Sequence, residues 1–201
     1  MDPRRQALLL ALPGLSLAVA GLFHPHGLSH ETSRLWFGLH VPGLLVFPLV
    51  GLALAWLVRG RTDPVAWVVR LAAYGYATFY SALDVISGIA AGWVTWQLGP
   101  GVERPDEVRL LFRIGTPLGE IGSWALLACV AVLVADRLLR GRRPTAATLV
   151  GLLVLPGAWL VHVGHIFAPE GVAGMALLGV GTAALSWSRR GEATDRAAGA
   201  S

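Results

Sequence analysis

The apolar stretches of this chain are too long and too frequent for a water-soluble core. A helix that crosses the hydrocarbon of a bilayer needs about 20 consecutive, mostly apolar residues. Six stretches approach or exceed that length, near Ala7–Phe23, Leu35–Val58, Val65–Trp96, Val108–Leu138, Ala146–Phe167 and Val172–Ser188. In lipid every backbone amide must find its partner within the protein, and runs of this length do so as helices. The expected fold is all-α: a polytopic transmembrane helix bundle of about six spans. It forms one domain over residues 1–190, followed by a disordered cytoplasmic tail over 191–201. The third and fourth spans are long enough to tilt or protrude.

Charge is correspondingly sparse. Charged residues make up 14% of the chain, against about 25% in an ordinary soluble domain, and mean hydropathy is +0.62. The formal charge of +4 does not mark a nucleic-acid binder, because no basic stripe interleaves with aromatics on a polar face. The expected partner is the lipid bilayer. The single cysteine, Cys129, lies in an apolar span; it has no intrachain disulfide partner and reads as a small core residue.

The arginines instead flank the spans, and they do so unevenly. One set of flanks carries Arg4, Arg5, Arg59, Arg61, Arg70, Arg137, Arg140, Arg142, Arg143, Arg189, Arg190 and Arg196. The opposite set carries Arg34, Arg104, Arg109 and Arg113, diluted by Glu31, Glu103, Asp106, Glu107 and Glu170. Cytoplasmic loops are enriched in Arg and Lys. This places both termini inside and predicts a multi-pass protein of the cytoplasmic (inner) membrane. Met1–Ala20 also has the outline of a signal peptide, with Ala18-Val19-Ala20 as its cleavage site. The apolar run continues to Phe23, which favours retention as a first span.

All six histidines fall toward the outer side on this topology. His24, His26 and His30 lie in a short loop expected to be exposed; His40, His162 and His165 lie just inside two spans. Two carboxylates, Asp84 and Glu120, interrupt other spans. At the helical rise they sit about 14 Å below Trp93 and about 16 Å below Arg109. Ionisable groups inside a membrane are costly and mark functional sites. Steps of three and four put Tyr76, Tyr80, Asp84 and Ser87 on one face of the third span, and Arg113, Thr116, Glu120 and Ser123 on one face of the fourth. Trp159, His162 and His165 follow steps of three in the fifth.

These groups suit several chemistries. His40, His162 and His165 are the candidate cofactor ligands, with His24 and His26 as further candidate metal ligands. Imidazoles suit zinc or copper, and three protein ligands with one open position is the catalytic zinc pattern. Asp84 and Glu120 are then candidate catalytic carboxylates, activating water against a lipid or lipid-linked bond. The leading expectation is therefore a metal-dependent, hydrolase-like membrane enzyme. The alternative is haem b held between two of the same histidines, exchanging electrons with a quinone or other partner. A metal-free acid, Asp84 or Glu120, could instead protonate a prenyl chain among Tyr80, Trp124 and Trp159. A small transporter, sensor or accessory subunit is the non-enzymatic reading, weakened because polar groups do not continue through the inner halves of the spans.

Overall fold

The computed structural model describes residues 2–101, 105–140 and 145–198, with side chains to Trp187. Glu103, Arg104, Arg142 and Arg143 lie outside the described residues, as do the side chains of Arg189, Arg190 and Arg196. The described chain is helical, without strands. The elements are α1 (Pro3–Leu22), α2 (His30–Trp56), α3 (Pro64–Leu83), a π-helical segment (Asp84–Ala90) that runs into α4 (Ala91–Leu98), α5 (Asp106–Arg140), α6 (Ala146–Gly151), α7 (Val154–Gly164) and α8 (Glu170–Ala198). Five rods are long and apolar enough to span a membrane: α1, α2, the continuous 64–98 helix, α5, and α6 with α7. With α8 the bundle has six. Helix α8 continues into the stretch expected to be a tail.

Local chemistry sets where the helices start and bend. The Ser29 hydroxyl accepts from the Thr32 amide, and the Thr32 hydroxyl accepts from the Ser29 amide, a capping box that starts α2. Asp63 caps α3 ahead of Pro64. The break between α6 and α7 follows from Pro156. Proline has no N–H to offer the carbonyl four residues back, and the Leu152 carbonyl is taken instead by the Leu155 amide at 3.0 Å.

The π-helical segment was not foreseen. An inserted residue of this kind frees a carbonyl, which in lipid must find another donor. The Ser87 carbonyl accepts the indole N–H of Trp36 at 3.1 Å. Glycines let the helices approach closely here: Gly92 meets the Phe37 backbone, and Gly115 and Gly119 meet Ser87 and Leu83.

The rods close into a ring in the order α1, α2, α3, α5, α7, α8. The α1–α8 and α3–α5 seams are the most extensive; the α1–α2 and α5–α7 seams are the thinnest. Along α1–α8 the backbones touch. A Cβ on Gly14 would stand 2.6 Å from the Met175 carbonyl oxygen, and one on Gly179 would stand 2.8 Å from that of Ala11. At the arginine-rich end, Arg61 binds Asp63 at 2.8 Å and Asp136 at 2.5 Å, while Arg140 binds Asp136 at 2.6 Å. This network ties the α2–α3 turn to the end of α5.

Candidate functional site

The two thin seams each hold a cavity. The first, about 290 Å³, lies behind the α5–α7 seam. Thr116, Gly119, Glu120 and Ser123 wall it on α5, and Val161 and His162 on α7. His165 and Tyr80 form deeper wall, and Trp36, Phe112 and Phe167 bound it toward the histidine-bearing end. Thr116 and Glu120 are exposed and sit about three to four turns into α5. The cavity therefore opens through the side of the bundle. Trp124 and Trp159, each more than half exposed, stand beside His162 with ring centroids at 4.6 and 5.5 Å.

Two imidazole–hydroxyl pairs face this space. Tyr80 Oη lies 2.5 Å from His165 Nδ1, and Ser123 Oγ lies 2.8 Å from His162 Nδ1. The one hydroxyl hydrogen of Ser123 has two acceptors in reach, the Glu120 carbonyl at 2.9 Å and His162 Nδ1. On the Glu120 carbonyl it leaves His162 Nδ1–H to donate to Ser123, with the lone pair on Nε2; on His162 Nδ1 it leaves the hydrogen on Nε2. His40 is fixed by a carbonyl: its Nδ1–H donates to the Trp36 carbonyl at 2.7 Å, and its Nε2 carries the lone pair. The Tyr80–His165 pair is not fixed by a third group, so the shared hydrogen can sit on either atom.

The second cavity, about 190 Å³, lies behind the α1–α2 seam. It is almost wholly apolar, with Leu17, Leu39, Val46, Phe47 and Ile166 in its walls and Asp84, His24 and His40 as its titratable groups. His40 is thus a wall of both cavities. Asp84 is 2% exposed, and neither of its carboxyl oxygens has a hydrogen-bond partner among the described residues. His24 Nδ1–H donates to the Pro25 carbonyl at 2.8 Å, and its buried Nε2 has no partner. Burial holds the His24 imidazole below the usual histidine range, assisted by the neighbouring His26 and opposed by the Pro25 carbonyl.

Several expectations are corrected by this geometry. The loop of His24 is not open: His24 is 6% exposed, wedged among Trp36, His40 and Phe167 with ring centroids 4.7 to 5.0 Å away. His26 is exposed, and its Nε2–H donates to the Ala168 carbonyl at 2.8 Å, which turns the two former metal candidates apart. His162 and His165 do not share one helical face. The helix ends at Gly164, and His165 has a positive φ of 52°, so its ring swings to Tyr80 on α3 while that of His162 stays against α5. Among the described residues no group of three or more His, Cys, Asp or Glu side chains is placed to hold a metal ion; the set of His40, His162 and His165, with or without His24 and His26, is not one. Asp84 and Glu120 do not converge either: Asp84 lines the second cavity and Glu120 the mouth of the first. His30 is half-buried at the start of α2.

Sequence reasoning had placed Tyr80 and Ser123 on polar stripes without finding their imidazole partners. It missed Trp36 and Phe167, whose only signal was an aromatic near a span end. No family model matches this chain, no curated protein matches its sequence, and no solved structure matches its fold.

Proposed function

We propose that this integral membrane protein is an enzyme of acid–base type that acts on the oxygen-bearing head group of a lipid or lipid-linked substrate. The observation that carries this reading is the pair of imidazole–hydroxyl contacts, Tyr80–His165 and Ser123–His162, on one laterally open cavity. An apolar pocket with a few convergent polar groups is the usual form of a small-molecule site. A substrate dissolved in the bilayer reaches it between α5 and α7, past Thr116 and Glu120, without crossing water.

The pairs supply complementary roles. When Tyr80 donates to His165 Nδ1, the Nε2–H of His165 is a donor suited to a substrate carbonyl. When the shared hydrogen sits on Nδ1, Nε2 is an acceptor suited to a hydroxyl. His162, in the tautomer that donates from Nδ1 to Ser123, is the base of the site. Zinc, copper and haem b are not required by this reading, in which the imidazoles act through proton transfer. A quinone is one lipid class whose carbonyls such donors would bind.

The test is mass spectrometry of lipids retained by the protein after detergent purification, alongside its metal content. Wild-type protein is expected to retain one class of carbonyl- or hydroxyl-headed lipid that Tyr80→Phe and His162→Leu lose. An identical lipid complement in all three proteins would sink the reading. One equivalent of zinc or copper, lost in His162→Leu, would replace it with the metal enzyme.

A further inference from the structure

The second cavity has a polarity that selects its ligand. Its titratable lining groups are Asp84, His24 and His40, and Ser16 adds one hydroxyl. His24 Nε2 carries a lone pair because Nδ1–H is committed to Pro25, and His40 Nε2 does so because Nδ1–H is committed to Trp36. The two oxygens of Asp84 add a carboxyl group without a protein partner. A buried carboxylate requires a proton or a cation beside it. A bare metal ion does not fit, since the described residues offer no three-ligand group. A ligand with several N–H donors and one positive charge does. A primary ammonium carries one positive charge, three donors and no acceptor, matching a buried carboxyl that has no protein partner among the described residues.

The rest of the cavity specifies what the ammonium is attached to. Its remaining lining is apolar apart from Ser16, and Ser16 and Pro42 are exposed at the α1–α2 seam. The slot therefore communicates with lipid through the wall of the bundle. Gly43 keeps the approach to the carboxyl open, for a Cβ there would stand 3.3 Å from Asp84 Oδ1. We infer that the α1–α2 cavity is a binding site for the primary ammonium head of a long-chain amine or aminolipid, with Asp84 as counter-ion. This site is separate from the acid–base cavity and does not depend on the function proposed for it.

The experiment uses the full chain in phosphatidylcholine nanodiscs, with empty nanodiscs as the blank. Dodecylamine, dodecanol and methylammonium are titrated by calorimetry at neutral pH. Saturable binding of dodecylamine is expected, at least tenfold tighter than dodecanol or methylammonium, and weakened at least tenfold by Asp84→Asn. Gly43→Val fills the space before the carboxyl while leaving its charge, and is expected to weaken dodecylamine by a similar factor. Equal binding of dodecanol, or unchanged binding in both variants, overturns the assignment. Methylammonium binding as tightly as dodecylamine overturns the amphiphile and leaves a free small cation as the ligand.

Discussion

The imidazole of His40 rests directly on Gly88: a Cβ at residue 88 would stand 2.0 Å from His40 Cδ2 and 2.4 Å from Cγ. Its other side stacks on Trp36 with centroids 5.3 Å apart, and its Nδ1–H is held by the Trp36 carbonyl. Gly88→Ala is therefore expected to displace His40 and to cost about 1–3 kcal/mol, the usual range for overpacking a filled interior. Thermal unfolding in detergent reads the stability. Lipid retention should fall with it, because the displaced ring walls both cavities. A variant as stable as wild type would show that the helices part here without cost.

Acid should leave the opposite end of the bundle intact to an unusually low pH. The hydrogen bonds from Arg61 hold the Asp63 carboxyl well below the usual carboxylate range. A depressed carboxyl contributes stability that is complete above its unfolded value, about 3.9, and is lost only as pH falls through the folded value. The expected melting temperature difference between wild type and Asp63→Asn is constant from pH 7 to about 4 and shrinks below that. Asparagine caps helices as well as aspartate does, so the substitution removes the charge and keeps the start of α3. A difference that shrinks already between pH 7 and 5 would contradict the pairing.

Orientation is open to direct chemistry. Ser29 caps α2 at the histidine-bearing end, and Thr145 caps α6 at the arginine-rich end. Cys129 is buried, so the wild-type chain provides a low background. With a membrane-impermeant maleimide on intact cells, Ser29→Cys should label and Thr145→Cys should label only after permeabilisation. The reverse pattern would overturn the topology inferred from the arginines.

The bundle was readable in the sequence because its determinant, apolar length, is local. The six spans match six rods to within a few residues, except that α8 runs ten residues past the expected end of the sixth span. Two features that depend on single backbone bonds were not readable. Nothing in Asp84-Val-Ile-Ser-Gly-Ile-Ala announces a π-helical turn, and the spacing of His162 and His165 promises a shared face that the end of α7 at Gly164 removes. Site residues were found one by one, because polar groups in apolar spans are conspicuous. Their pairing was not, because Tyr80–His165 and Ser123–His162 join helices through the order of the ring, which periodicity does not encode. His24 was misjudged for a related reason. A short polar loop reads as exposed, but this one folds back so that its histidine plugs the bundle between Trp36 and Phe167.

The ring of His40 is the partition between two compartments that open on opposite seams. A movement of that ring that widens one compartment narrows the other. An occupant of one cavity that displaces the ring changes the affinity of the other, and such linkage is reciprocal: the factor is the same in both directions. One imidazole is thus the common wall of two compartments reached from different sides of the bundle.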